Sequence, residues 1–208
     1  MSGELKKIRG LYAIVDNSFT PHLSTVTLAE EFLKGGAKIL QLRRKGGQPP
    51  VEEARAIAGF KKKYDFIFIM NDFLELAREV NADGYHGGEN DPSPREARAF
   101  LGKEKIIGHS SHSIEEGIQA EKNGADYVAF GAIFPTKTKG PGHPIQGIDR
   151  LTKLCTSVSI PVVAIGGIHR HNFKTTLEAG ASSYAMITGL TQAKNIAEEV
   201  RWYAKQSS

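Results

Sequence analysis

Short apolar runs rich in β-branched and aromatic residues recur along the chain, each bounded by polar or glycine positions. They are Leu11–Val15, Lys38–Leu42, Phe66–Met70, Gly84–His86, Lys105–Ile107, Tyr127–Phe130, Pro161–Ile165 and Ser183–Ile187. Their length and continuous hydrophobicity predict strands buried on both faces, as in a parallel sheet. The intervening segments carry helical spacing. Leu28, Phe32 and Leu33 share one face, and Gly35-Gly36 stops that helix. Ser113-Ile-Glu-Glu116 has the form of a capping box opening a helix that Asn123-Gly124 ends. A final amphipathic helix over 192–205 carries Ile196, Val200 and Tyr203.

Three helix exits repeat: Gly36-Ala37, Gly124-Ala125 and Gly180-Ala181 each lead into a strand. Glycine closes a helix in the left-handed conformation and lets the chain turn inward. Eight strand–helix units in 208 residues leave about 26 residues for each, the size of a small (β/α)8 unit. The fold expected is therefore α/β, a single (β/α)8 TIM barrel spanning residues 1–208. A doubly wound open sheet has the same alternation and is the alternative. The strand-end chemistry favours the barrel.

Composition narrows the class. The chain is 40% hydrophobic and 24% charged, with no linker-like or low-complexity tract, so one domain with one core is expected. No apolar stretch is long enough to span a bilayer and no signal peptide is visible. Cys155 is the single cysteine, which excludes an internal disulfide and a cysteine-based zinc cluster. It lies in the helical pattern of Leu151, Leu154 and Val158 and reads as a buried structural thiol. A cytoplasmic location follows. The net charge of +4 is dispersed, so neither a nucleic-acid stripe nor a membrane partner is expected.

Barrel enzymes work at the C-terminal ends of their strands, so polar residues just after the apolar runs are the candidates. After the second run, Gln41, Arg43 and Lys45 stand at period-two spacing and face one side if the strand continues. Two cations at a barrel mouth call for an anion. Asn71-Asp72 follows the third run, and His86-Gly-Gly-Glu-Asn-Asp91 the fourth. Asp72 alone reads equally as a helix cap. Together with Asp91 it suits Mg²⁺, which takes few carboxylates and completes its shell with water and phosphate. Ser110 stands within Gly108-His-Ser-Ser-His112, where hydroxyls suit phosphate. His109 reads as structural, and His86, His109 and His112 lack ligand spacing for a metal.

After the sixth run comes a Gly- and Pro-rich loop, Gly131 to Gly142, holding Thr136, Thr138 and Lys139. It reads as a phosphate-contacting loop, or else as a plain surface excursion. Gly166-Gly167-Ile168 and Ile187-Thr188-Gly189 follow the last two runs, where barrels often hold a phosphate on backbone N–H groups. The residues thus imply two anion sites in one mouth, one cationic with acidic metal ligands and one built from backbone.

These segments, in this order and spacing from about Leu11 to Leu190, resemble the thiamine-phosphate synthase family. Phe134-Pro-Thr-Lys-Thr-Lys139 together with Gln41-Leu-Arg-Arg-Lys45 carries the most specific part of the likeness. The resemblance implies that Gln41 contacts an aminopyrimidine. It implies that Arg43, Lys45, Asn71, Ser110 and Lys139 hold a diphosphate, and that Asp72 and Asp91 bind Mg²⁺. Thr136, Thr138, Gly167, Ile187 and Thr188 would surround a thiazole phosphate. Arg43, Lys45, Ser110 and Lys139 would then be catalytic, stabilising a departing diphosphate in a dissociative reaction. Two departures from the family pattern stand out. His86-Gly87-Gly88-Glu89 replaces the usual His-Leu-Gly-Gln, and Thr188-Gly189 replaces Ser-Ala.

Partners implied are the two small-molecule substrates; a homo-oligomer is left open. Two rival readings share the fold. A thiazole tautomerase would bind only the thiazole half and has no need of Gln41, the two aspartates or the Lys139 loop. A non-catalytic binder of phosphorylated ligands would have no reason to keep the full cation set.

Overall fold

In a computed structural model describing residues 8–136, 138 and 144–206, all eight apolar runs become parallel strands. They are β1 (Gly10–Val15), β2 (Ile39–Leu42), β3 (Ile67–Asn71), β4 (Gly84–Gly87), β5 (Ile106–Ser111), β6 (Tyr127–Gly131), β7 (Val162–Ile165) and β8 (Ser183–Met186). Strand order follows chain order, and β8 returns to pair with β1 through Gly10↔Ser183 and Leu11↔Tyr184. That pairing closes the sheet and excludes the open doubly wound alternative. Around it lie α1 (Thr25–Lys34), α2 (Val51–Gly59), α3 (Leu74–Glu79), α4 (Pro94–Leu101), α5 (Ile114–Lys122), α6 (Gly147–Ser157), α7 (Phe173–Glu178), α8 (Thr188–Thr191) and α9 (Ile196–Gln206).

Strand alternation splits the core in two. Tyr12, Ile14, Ile39, Ile67, Ile69, Ile106, Tyr127, Ala129, Val163 and Ala185 form the cluster that fills the barrel. Their neighbours along each strand, such as Leu11, Leu40, Phe68, Val128 and Tyr184, face the helices and join Leu28, Phe32, Leu151 and Val200 in the outer layer. Room inside is tight. A Cβ on Gly108 would fall within the ring of Tyr127, so glycine on β5 is what admits a tyrosine from β6.

The helix exits share one device. Gly36, Gly124 and Gly180 have φ of +93°, +88° and +100°. Each is followed by an alanine whose N–H reaches back five residues: Ala37 to Phe32, Ala125 to Ala120 and Ala181 to Thr176, at 3.0–3.1 Å. A fourth copy is hidden in sequence because Asn81, at φ +51°, takes the glycine's place before Ala82.

Two local expectations need correction. Ser113 caps α5, but Glu116 does not return to the Ser113 backbone; its carboxylate accepts from His112 N at 2.7 Å, so the box is half formed. The complete box lies at α4, between Ser93 and Glu96. The last helix also starts later than expected, at Ile196, since residues 192–195 form a turn and bends between α8 and α9.

Candidate active site

The C-terminal ends of the strands surround a cavity of about 570 Å³. Every described residue singled out in sequence for a site lines it: Gln41, Arg43, Lys45, Asn71, Asp72, Asp91, Ser110, Thr136, Thr138, Gly167, Ile187 and Thr188. Lys139 lies outside the described residues. His109 is not among the lining residues; it is partly buried, and desolvation lowers its pKa, in keeping with a structural role.

One wall is charged. Gln41 is buried on β2, which ends at Leu42, yet Arg43 and Lys45 still reach the cavity beyond it. The Arg43 guanidinium pairs with Asp16 at the end of β1, whose other oxygen accepts from Ser18 N and Oγ. Asp72 sits at φ +65°, a left-handed conformation that Asp tolerates better than most side chains. Its carboxylate does not cap α3, where Phe73 is the N-cap and makes no side-chain bond. Instead Oδ2 lies 3.3 Å from Lys45 Nζ. Burial raises the Asp72 pKa, Lys45 opposes that shift, and the nearby Asp91 carboxylate adds to it. Asp91 also accepts from Gly88 N at 2.8 Å, which fixes the turn that presents it.

The opposite wall is built from small residues and hydroxyls. Thr136 Oγ1 accepts from Thr138 N at 3.2 Å and lies 3.1 Å from Thr138 Oγ1, holding both threonines in one turn. Gly166 and Gly167 take φ of +99° and +66°. A Cβ on Gly167 would stand 2.5 Å from Pro135 O, and one on Gly166 would stand 2.6 Å from Ala132 Cβ. These glycines therefore let the loop after β6 lie against the loop after β7, which closes this end of the cavity.

A chain of hydrogen bonds runs across the barrel from β2 to β5. Gln41 Nε2 donates to Tyr12 Oη (3.0 Å), which is 2.7 Å from Tyr127 Oη. Tyr127 Oη is 3.0 Å from His86 Nδ1, and His86 Nε2 is 2.9 Å from Ser110 Oγ. Burial raises the pKa of both tyrosines, so both stay protonated at neutral pH.

Comparison with known proteins bears on this arrangement directly. The family described as thiamine monophosphate synthase matches residues 11–190. The thiamine-phosphate synthase of Halalkalibacterium halodurans is 42% identical over 188 residues, 89% of each chain. That of Shouchella clausii is 40% identical over 89% of this chain and 90% of its own. Among solved structures, a thiamine phosphate pyrophosphorylase from Pyrococcus furiosus superposes with a TM-score of 0.85 at 33% identity, covering 97% of this chain and 98% of that one.

The chain belongs to the thiamine monophosphate synthase family.

Within this family member, sequence reasoning missed three residues that shape the site. Tyr12 and Tyr127 lie in apolar strand runs and read as core, although inward parity places their hydroxyls under the cavity. Asp16 directly follows the first apolar run, a strand-end signal that could have marked it, and the β1–β2 pairing brings it to Arg43. Of the departures from the family pattern, Glu89 lines the cavity and is exposed. Gly87 leaves space filled from below: a Cβ there would stand 2.8 Å from Tyr85 Oη.

Proposed function

We propose that the chain joins 4-amino-2-methyl-5-hydroxymethylpyrimidine diphosphate to 4-methyl-5-(2-hydroxyethyl)thiazole phosphate, giving thiamine phosphate and diphosphate. One observation supports this reading: charged side chains (Arg43, Lys45, Asp72, Asp91) and a chemically different set of threonines and glycines (Thr136, Thr138, Gly166, Gly167) line a single cavity. A tautomerase acting on the thiazole half alone has use for one wall only.

The chemistry asks little of the protein beyond charge and position. The bond between the pyrimidine methylene and the diphosphate oxygen breaks, and its electron pair leaves with the diphosphate. The thiazole nitrogen then gives its lone pair to the methylene carbon. No protein nucleophile is required; stabilising the departing anion lowers the barrier. Arg43, Lys45, Asn71, Ser110 and Lys139 are assigned to the diphosphate. Gln41 is assigned to the aminopyrimidine, and Thr136, Thr138, Gly167, Ile187 and Thr188 to the thiazole phosphate. Both substrates held in one cavity convert a bimolecular step into an oriented one.

Mg²⁺ fits the Asp72–Asp91 pair. Two carboxylates face one another with a single lysine beside them, and the half-buried Asp72 has its pKa raised, so a hard cation would relieve their repulsion. Among the described residues no group of three or more His, Cys, Asp or Glu side chains that could hold a metal ion gathers, so the proposed Mg²⁺ would take only two carboxylates from the protein and the rest of its shell from water and substrate oxygens. When bound, Mg²⁺ supplies Lewis-acid neutralisation of diphosphate charge. Among the described residues no helix is long and apolar enough to cross a membrane. A single barrel domain in a reducing cytoplasm fits this assignment.

Calorimetric titration tests the two half-sites. Inorganic diphosphate should bind tightly only with Mg²⁺, and Asp72→Asn should abolish that dependence. Thiazole phosphate should bind the wild type and Asp72→Asn equally well. Mg²⁺-independent diphosphate binding in the wild type would refute the metal assignment, and loss of both ligands in a folded Asp72→Asn would refute the division into half-sites.

A further inference from the structure

The chain Gln41–Tyr12–Tyr127–His86–Ser110 has four links of 2.7–3.0 Å and runs across the barrel from Gln41 on β2 to Ser110 on β5, both of which line the cavity. Its hydrogens can be counted. Gln41 Nε2 gives one to Tyr12 Oη. The Tyr12 hydroxyl, in a side chain only 1% exposed, must place its own hydrogen on an acceptor, and Tyr127 Oη is the one its contacts provide. Tyr127 has then accepted and donates onward to His86 Nδ1. His86 therefore carries its hydrogen on Nε2 and gives it to Ser110 Oγ. The Ser110 hydrogen is left to point into the cavity.

With His86 neutral, only one other arrangement satisfies every hydrogen of these four links. If the Gln41 amide turns over, each link reverses: Tyr12 donates to Gln41, Tyr127 to Tyr12, His86 Nδ1 to Tyr127 and Ser110 to His86 Nε2. Ser110 then shows the cavity a lone pair and Gln41 shows it an NH₂ group. Mixed arrangements leave a buried hydroxyl hydrogen unpaired or two hydrogens opposed, each costly in a buried site. The chain is thus a two-state unit whose ends are linked.

We infer that this unit is a specificity device: an anion at Ser110 sets its direction, so that Gln41 presents its carbonyl oxygen and selects a pyrimidine bearing an amino donor over one bearing an oxo acceptor. The inference rests on the proposed pyrimidine diphosphate substrate. An anion accepts hydrogen bonds and gives none, so it is compatible only with the direction in which Ser110 donates. In that direction an oxo group would meet the Gln41 carbonyl, acceptor against acceptor. Tyr12 and Tyr127 are positioning residues here, acting through Gln41 and Ser110.

The test compares binding of the 4-amino pyrimidine diphosphate and its 4-oxo analogue to the full chain with Mg²⁺. The wild type should prefer the amino form by about tenfold to a hundredfold, the cost of one mismatched buried polar pair. Tyr127→Phe and Tyr12→Phe each break the unit while keeping the ring, and each should erase most of that preference. A folded Phe variant that keeps the full preference, or loses both affinities equally, overturns the inference. Nitrogen-15 NMR of His86 in the wild type with inorganic diphosphate decides the direction without variants or the pyrimidine: the neutral Nε2–H form is expected, and either the Nδ1–H form or the imidazolium, which would uncouple the two ends, overturns it. A wild type that binds neither pyrimidine diphosphate but shows the Nε2–H form would count against the proposed substrate and not against the unit.

Discussion

Replacing Asp16 by Asn should cost the protein about 2–3 kcal/mol of stability. The Asp16 side chain is 4% exposed and that of Arg43 is 17% exposed, so their ion pair lies largely out of solvent. Breaking such a pair from one side typically costs about 3–5 kcal/mol, because the surviving charge stays buried without its partner. Arg43 keeps some access to water, which brings the expected value just below that range. Asparagine retains one carbonyl oxygen for the Ser18 contacts. In place of the second oxygen it puts an NH₂ group against the guanidinium, donor against donor. Urea unfolding of both proteins measures the difference, with an unchanged slope showing that the transition stays comparable. Arg43→Met in the same background should recover part of the loss, giving a coupling of roughly 1 kcal/mol or more in a double-mutant cycle. If Asp16→Asn is neutral, or the two changes add without coupling, the pair does not hold Arg43 at the mouth.

Gly108→Ala should lower the thermal midpoint, because the new methyl would overlap the Tyr127 ring; overpacking of this kind costs about 1–3 kcal/mol. An unchanged melting curve would mean that Tyr127 is not held against β5. Burial pushes the Cys155 thiol from its ordinary 9.0 up to about 11. At pH 8 it should therefore react with a disulfide reagent about a hundredfold more slowly than in the unfolded chain. Since the folded state favours the protonated thiol, its contribution to stability is present below pH 9 and is lost as pH rises toward 11. Cys155 is half-buried, not the fully buried thiol its helical pattern suggests, and equal reactivity of folded and unfolded protein would contradict even that shielding.

The barrel was legible because its signals are local and repeated. Eight apolar runs, helix faces at 3.6-residue spacing and glycine–alanine exits each follow from short-range physics. The site was legible where polar residues break an apolar run at a strand end, as Gln41, Arg43, Asn71 and Asp72 do. What stayed hidden depends on pairing across the barrel. Nothing near Tyr12 in sequence announces Tyr127, 115 residues away. β5 extends to Ser111, well past Ile107, because polar His109 and Ser110 still find partners on β6. Gly167 carries its sequence signal for a second reason as well: the Pro135 carbonyl occupies the space a side chain would need. Bulk at that position would disturb the wall itself, so it cannot serve as a clean probe of anion binding.

The central claim is that both half-sites act on one reaction in one cavity, and single turnover tests it most directly. Full-length protein in excess, given both substrates and Mg²⁺, should release diphosphate and thiamine phosphate in equal amounts. Omitting the thiazole phosphate should leave only slow diphosphate release, since water is then the sole acceptor. Aromatisation of a thiazole tautomer without thiamine phosphate, or binding of both substrates with conversion of neither, would contradict the account.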